Sequence, residues 1–378
     1  MRERRDRMND VRLYSKTDFS KCQLTQHPLY SYIRTFLTHD VSSLIENCRN
    51  ATCYAIEFGK ELILVVDAQF QAGQTYPTSL RAQYLDYAQE ELALTEIKGQ
   101  KLLSGAFRLL KTIVPQKIDE AVYVGNYLVS TNLFPNFTLE EVQAIELLLN
   151  KHFPNKTIVY RSQNSFLNQE LMEHLDVLDY QPFISRQVFI AHQAQVIKRK
   201  KSFKKDCKLA KDTMFDIRID FDVENYTERI IELYSQLYIS KYSKINPLYT
   251  TVFIEAMTDA QNTQFIGIFD DEKLIGVTMS WSFDGVLTVP ILGYDLSYPK
   301  EAGIYRLLTY FTLLRVNDQQ IFHMSSGVGP FKLSRGAEYF PEYIYYKRVP
   351  SAKGYTCSFW LLQKLNKILI RISKKKVF

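Results

Sequence analysis

The stretch "HMSSGVGPFKLSRGAEYFPEYIYYKR" (323–348) places three of the chain's 14 glycines, Gly327, Gly329 and Gly336, close around Lys332 and Arg335. Glycine lets a backbone turn sharply or lie close to a ligand. A strand-like run, "QIFHMSS" (320–326), enters this loop, and an aromatic strand, "YFPEYIYYKR" (339–348), leaves it. The loop is therefore either a long surface connection or the floor of a site between two rigid arms. Ser325, Ser326, Gly327, Lys332 and Arg335 are the residues expected to meet a substrate there. Lys332 and Arg335, three apart, can reach a phosphate or carboxylate together, the arginine through its fork. A solvated surface pair is the plainer alternative. The two serines belong to no Ser-His-Asp pattern, so no serine nucleophile is expected.

Working upstream, "NYTERIIELYSQLYISKY" (225–242) carries apolar residues at helical spacing, and "TTVFIEAMTDA" (250–260) reads as a second helix. Three strands follow at 264–269, 274–281 and 286–295, separated by the turns "DDEK" and "FDG" as in antiparallel hairpins. An apolar helix over 303–316 precedes the strand that enters the glycine loop. Pro290 lies inside the third strand and cannot donate to a ladder, which predicts a bulge or an edge there.

The first half follows the same scheme. Strands at 53–58 and 61–70 flank a Gly59-Lys60 turn, a third strand covers 121–131, and Thr138 with Glu141 forms a capping box. Then come a buried strand at 157–162, a helix over 167–178 and a strand at 180–190. The start of that last strand, "YQPFISRQVFI", echoes "YFPEYIYYKRV" (339–349). The order of elements predicts two similar α/β units: 1–195, a basic linking segment 196–224, and 225–350, followed by a C-terminal helix in 351–378.

Composition is that of a globular chain, 46% hydrophobic and 23% charged, with 25 tyrosines and 24 phenylalanines to build thick cores. The five cysteines form no CxxC pair and the six histidines are scattered, so neither a metal site nor a disulfide framework is expected. The opening "MRERRDRMND" has no apolar run, and no stretch has the length of a spanning helix. A cytoplasmic location is the expectation. The net charge of +6 is local: eight basic residues lie in 196–212 and three more at Lys374–Lys376. Local basicity asks for an acidic partner.

The element order over 225–348, with "KRKKSFKKDCKLAK", "KLIGVTMSW" and the strand–glycine loop–"FKLSRGAE" sequence, resembles the GNAT-type acyltransferases. The resemblance is specifically to the double-GNAT branch that includes the FemAB-like proteins. It covers 180–350 well and 1–110 thinly. It implies an α/β (α+β) fold of two GNAT-like mixed-sheet units in tandem, with helices on both sheet faces. It further implies a bacterial N- or O-acyltransferase that moves an acyl group from a thioester to an amine or hydroxyl. In such a fold the splayed strand Pro290, Ile291, Leu292, Gly293 would take the donor's slender arm. Lys300, Gly303, Ile304 and Arg306, at the start of the next helix, would take its pyrophosphate. That loop is poorer in glycine and basic residues than the usual coenzyme A loop. The resemblance implies an acyl-CoA or acyl carrier protein donor, and an acyl carrier protein or an aminoacyl-tRNA would need less of that loop. The first unit's loop, "STNLFPNFT" (130–138), has neither glycine nor basic residue and reads as a degenerate copy.

Transfer of this kind needs a base within reach of the nucleophile and a donor for the oxyanion. His323 is the first candidate base, with a hydrogen-bonded core histidine as the alternative. Asp295 and Tyr294 end the bulged strand, where they are also readable as a turn residue and a packing aromatic. Glu338 is a fourth candidate, or a partner for Arg335. Segment 198–211 is either a solvated link or a dock for tRNA or a carrier protein. The C-terminal "FWLLQKLNKILIRISKKKVF" (359–378) has an apolar stripe and a basic remainder, suited to the inner face of a membrane or to docking on the core. Two rival readings are an aminoacyl-tRNA-dependent transferase acting on a cell-envelope precursor, and a non-catalytic membrane- or nucleic-acid-binding protein on an inactive fold.

Overall fold

The computed structural model describes residues 11–87, 89–90 and 100–348, together with Trp360 and Lys364. The amphipathic segment expected over 359–378 otherwise lies outside the described residues. The first half contributes strands β1 (Arg12–Tyr14), β2 (Ala51–Phe58), β3 (Glu61–Ala68), β4 (Ala121–Val124), β5 (Thr157–Gln163) and β6 (Gln181–Ala191). The second contributes β7 (Asp216–Ile219), β8 (Thr263–Asp270), β9 (Lys273–Phe283), β10 (Val286–Tyr294), β11 (Ile321–His323) and β12 (Glu338–Lys347). The helices are α1 (Tyr30–Thr38), α2 (Val41–Leu44), α3 (Gln100–Ile113), α4 (Leu139–His152), α5 (Gln169–Val177), α6 (Ala194–Arg199), α7 (Lys201–Asp212), α8 (Thr227–Ser235), α9 (Thr251–Thr258), α10 (Ile304–Leu313) and α11 (Gly329–Leu333).

All the strands join one sheet, in the order β1-β2-β3-β4-β5-β12-β6-β11-β10-β9-β8-β7. Adding six to each strand of the first half and reading backwards returns the same order. The pairing senses agree too: β4 with β5 and β10 with β11 are parallel, whereas β5 with β12 and β11 with β6 are antiparallel. The two α/β units expected from the element order are thus present, related by a pseudo-twofold. Their last strands are exchanged: β12 fills the place beside β5, and β6 fills the place beside β11. The echo between "YQPFISRQVFI" and "YFPEYIYYKRV" marks these two strands, which pair with each other through the middle of the sheet.

Strand β3 shows why helices lie on both faces. In "ELILVVDA", Leu62, Leu64 and Val66 join one core with α1, α2, α8 and α9. Ile63 and Val65 join another with α4 and α5, so the strand is buried on both sides. On that second face of the other unit, Leu307 and Leu308 of α10 pack over Ile268 and Ile275. The capping box at Thr138 and Glu141 is formed, each side chain satisfying the other's backbone N–H.

Two elements differ from the sequence expectation. The strand expected over 121–131 stops at Val124, because Gly125 turns with φ of +61° over the Phe134 ring. The segment 196–224, expected as a link, folds into α6, α7 and β7. Phe203 and Asp206 of α7 are buried, and its lysines face outward.

The exchange makes each unit incomplete alone, since β5 and β6 touch only through β12. Residues 1–195 and 196–378 expressed separately should each lack a cooperative melt. Co-expression should restore one that matches the intact chain. Calorimetry showing a sharp transition for either half by itself would contradict the exchanged topology.

Candidate functional site

At the crossing of the exchanged strands, Arg186 of β6 stands opposite Glu342 of β12. Its Nε and Nη2 donate to the Glu342 carboxylate at 2.8 and 3.3 Å. Nη2 also donates to the Ser130 carbonyl at 2.5 Å and to Thr131 Oγ1 at 2.9 Å. Thr131 Oγ1 in turn donates to Ser325 Oγ at 3.2 Å. The first unit's loop therefore walls the second unit's glycine loop.

That loop borders an opening in the sheet. Strands β10 and β11 pair at only three positions, Val286–Ile321, Leu287–Phe322 and Thr288–His323. Beyond them β10 shifts register against β9 around Val289 and Pro290 and continues to Tyr294. The other chain leaves it: the Met324 amide donates to the Phe189 carbonyl, and the Phe189 amide to the Ser325 carbonyl, both on β6. The two backbones thus part after Thr288 and His323. Between His323 and α11 three residues have positive φ, Ser325 (57°), Gly327 (79°) and Val328 (46°), and Gly336 after α11 is a fourth (96°). For a β-branched residue such as Val328 that conformation is strained, and strain of this kind gathers at functional sites. Gly327 faces open space. Tyr294, at the end of β10, and Tyr305 of α10 have ring centroids 6.0 Å apart, and Tyr305 lies 4.8 Å from Phe331 of α11.

The expected site residues distribute unevenly around this opening. Ser325, Ser326 and Gly327 follow directly on the point where the two chains part. His323 is fully buried, and its Nδ1 accepts the Ser325 amide at 3.1 Å. Burial, with Arg186 and Lys332 nearby, pulls its pKa down to about 3, so it is a neutral N–H donor and not a ready base. Its Nε2 is buried without a partner. Lys332 does not reach outward beside Arg335: its ammonium ties down its own loop through the Met324 and Ser326 carbonyls, at 2.5 and 2.7 Å. Burial, and then Arg186, bring its pKa down to about 7.

Arg335 is buried too, bound by two bonds of 2.6 and 3.1 Å to Asp206 of α7, which also takes Arg306 at 2.7 Å. Arg335 and Arg306 are therefore committed to one carboxylate. Glu338 pairs with His192 at 3.0 Å and not with Arg335. Burial works against ionisation of Asp295. Bonds from Ser297, Lys273 and Arg229 outweigh it and hold the carboxyl well below its usual range, which makes Asp295 an anchor and a weak base. Tyr294 is raised by burial and by Tyr242.

Pro290 and Ile291 are buried in the bulge and Leu292 is half-buried. A Cβ on Gly293 would sit 2.5 Å from the α8 backbone, and one on Gly303 2.5 Å from Leu209 of α7. Both glycines serve helix packing. Ile304 is buried in the core of α10, whereas Lys300 is exposed. Among the described residues no group of three or more His, Cys, Asp or Glu could hold a metal ion. No helix among them is long and apolar enough to cross a membrane.

Sequence reasoning passed over Arg161, Arg186, Asp206 and Glu342. A visible signal existed for three of them: a charge in the middle of an apolar strand, as in "TIVYRSQ", "FISRQVF" and "YFPEYIYY".

No protein-family model and no curated protein matches this sequence. Among solved structures, FemX superposes with a TM-score of 0.55 at 6% identity, over 91% of this chain and 98% of FemX. L-PGS from Bacillus licheniformis gives 0.42 at 11% identity, over 59% of this chain and 76% of that one. A GCN5-related N-acetyltransferase from Kribbella flavida gives 0.35 at 11%, over 64% and 84%. The likeness to FemX spans nearly all of both chains and identifies a shared fold, the tandem GNAT-like α/β architecture.

Two outcomes follow from the buried charges. Asp206→Ala leaves Arg335 buried and unpaired, and should cost roughly 3–5 kcal/mol of unfolding free energy in urea. A loss below about 1 kcal/mol would remove Asp206 from that role. His323 has a folded pKa below its unfolded value of about 6.5, so the unfolded chain binds the extra proton. Stability should fall as pH drops from about 6.5 towards 3, and His323→Gln should flatten that fall by up to about 1.4 kcal/mol per pH unit. Parallel pH–stability curves for the two proteins would refute the assignment.

Proposed function

We propose that the chain is an acyltransferase, taking an acyl group from a thioester donor, or from the ester of an aminoacyl-tRNA, to an amine or hydroxyl. The observation that carries this reading is the parting of β10 and β11 after three paired positions, beside a strained, glycine-bearing loop. An extended donor arm laid between them would bring its carbonyl to Ser325 and Ser326, with the tyrosine-lined side left for the acceptor. Positioning two reactants this way supplies much of the rate in acyl transfer, which fits a site without a conspicuous catalytic motif. His323 is suited to donate a hydrogen bond near the parting point and not to remove a proton. The acceptor's proton would pass, through water or with Ser325 as a relay, to the thiolate or alkoxide that departs as the donor's C–S or C–O bond breaks.

One feature favours a carrier-borne donor, an acyl carrier protein or an aminoacyl-tRNA, over free acyl-CoA. Lys201, Lys204, Lys205, Lys208 and Lys211 form the exposed side of α7, whose Leu209 abuts Gly303 at the start of α10. An acidic carrier docked there would sit at the donor end of the opening, and its binding would weaken steeply with salt.

The test incubates the purified chain with acetyl-CoA, an acyl carrier thioester and an aminoacyl-tRNA, following loss of each donor by mass spectrometry. At least one donor should be consumed or bound, and Ser326→Trp should block it. Lys204→Glu/Lys205→Glu/Lys208→Glu should weaken a carrier-borne donor at least about tenfold at low salt while sparing acetyl-CoA. No binding and no turnover with any of the three would sink the reading.

A further inference from the structure

Arg161 stands in the apolar strand β5 and is 3% exposed. A guanidinium this deep is ordinarily paired with a carboxylate, because a lone desolvated charge is costly. Arg161 has no ion pair among the described residues. Its one side-chain hydrogen bond runs from Nη1 to Asn126 Oδ1 at 3.2 Å, and its Nε is buried without a partner. Glu342 acts on it electrostatically but is held by Arg186. The Tyr76 ring lies 5.5 Å from its Cζ. The hydroxyls of Tyr84 and Tyr123, which feel the Arg161 charge, are buried and donate to no group, although the Leu80 backbone acts on Tyr123, and Gln163 Oε1 is buried without a partner. A cation with its Nε–Nη2 edge vacant, two idle phenol donors and one idle acceptor is a constellation missing its counterpart.

We propose that Arg161 anchors the carboxylate of the acyl acceptor, a compound with an N–H beside that carboxylate, such as an N-substituted amino acid or a peptide C-terminus. The proposal rests on the transferase reading and names the acceptor class. The vacant edge matches the two oxygens of a carboxylate as a bidentate fork, the phenols supply further donors, and Gln163 Oε1 accepts the N–H. The anchor communicates with the donor opening: Arg186, whose charge acts on Arg161, binds Thr131, and Thr131 binds Ser325.

The test is a thermal melt of the full chain with no donor present, so it can fail while thioester transfer succeeds, and the reverse. N-acetylglycine should raise the melting temperature saturably, whereas N-acetylglycinamide and inorganic phosphate should not. Arg161→Met removes an unpaired buried charge, so the free variant should melt no lower than the parent. Its affinity for N-acetylglycine should drop roughly 10- to 100-fold. Arg161→Lys keeps the charge without the fork and should also bind weakly, which covers the case of a Met variant that does not fold. Equal shifts with the amide, a shift with phosphate alone, undiminished binding in either variant, or no shift with N-acetylglycine would each overturn the assignment.

Discussion

Everything at the centre of this molecule depends on the exchange of β6 and β12. A strand in the middle of a sheet must satisfy both of its edges, and β6 does so by pairing with β12 on one side and β11 on the other. The second of these pairings opens the sheet. After His323 the chain continues along β6, where Met324 and Ser325 bond Phe189, and so it abandons β10. The opening is thus a consequence of which neighbour wins residues 324 and 325. Arg186 and Glu342 fix the register of the crossing, since a slip of either strand by one residue would put the two charges on opposite faces of the sheet.

The buried charges divide by whether they have partners. Asp206 joins α7 to α10 and to the turn after α11 through Arg306 and Arg335. Lys332 holds the glycine loop from below through backbone carbonyls. Both are internal ties whose geometry keeps the loop in its strained path. Arg161 has only its bond to Asn126 and no carboxylate partner, and a buried guanidinium with so much of its donor capacity unused is better explained by what it binds.

Much of the fold was legible because local signals agreed with it. The hairpins at β2–β3 and β8–β9–β10, the cap at Thr138 and the alternate burial of β3 all follow from short-range pattern. Pro290 announced the bulge. The site was less legible, because its members come from distant segments and several have opposite roles to those their position suggests. Lys332 and Arg335, three apart in a glycine-flanked loop, looked ready to grip a ligand together. The backbone instead turns both inward, toward partners that no local pattern reveals. Asp206 was hidden among lysines for the same reason, since only the packing of Phe203 and Leu209 turns its face of α7 inward.

The pseudo-twofold also supplies an internal comparison for the opening. In the first unit β4 and β5 pair at four positions, Ala121–Thr157 to Val124–Tyr160, and then β4 ends at the Gly125 turn. The space beside the rest of β5 is taken by the following loop. Asn132 N donates to Ser162 Oγ, Tyr127 N to Asn132 Oδ1, and Asn126 Oδ1 accepts from Arg161. Those side-chain bonds fill the seam with buried chain, and Asn126 and Asn132 are almost wholly enclosed. In the second unit the corresponding space faces Gly327 and meets nothing within 4 Å of its would-be Cβ. Two copies of one architecture have therefore diverged at one place. Polar side chains close the first seam, and the closing loop brings Ser130 and Thr131 to Arg186 and to Ser325 beside the second.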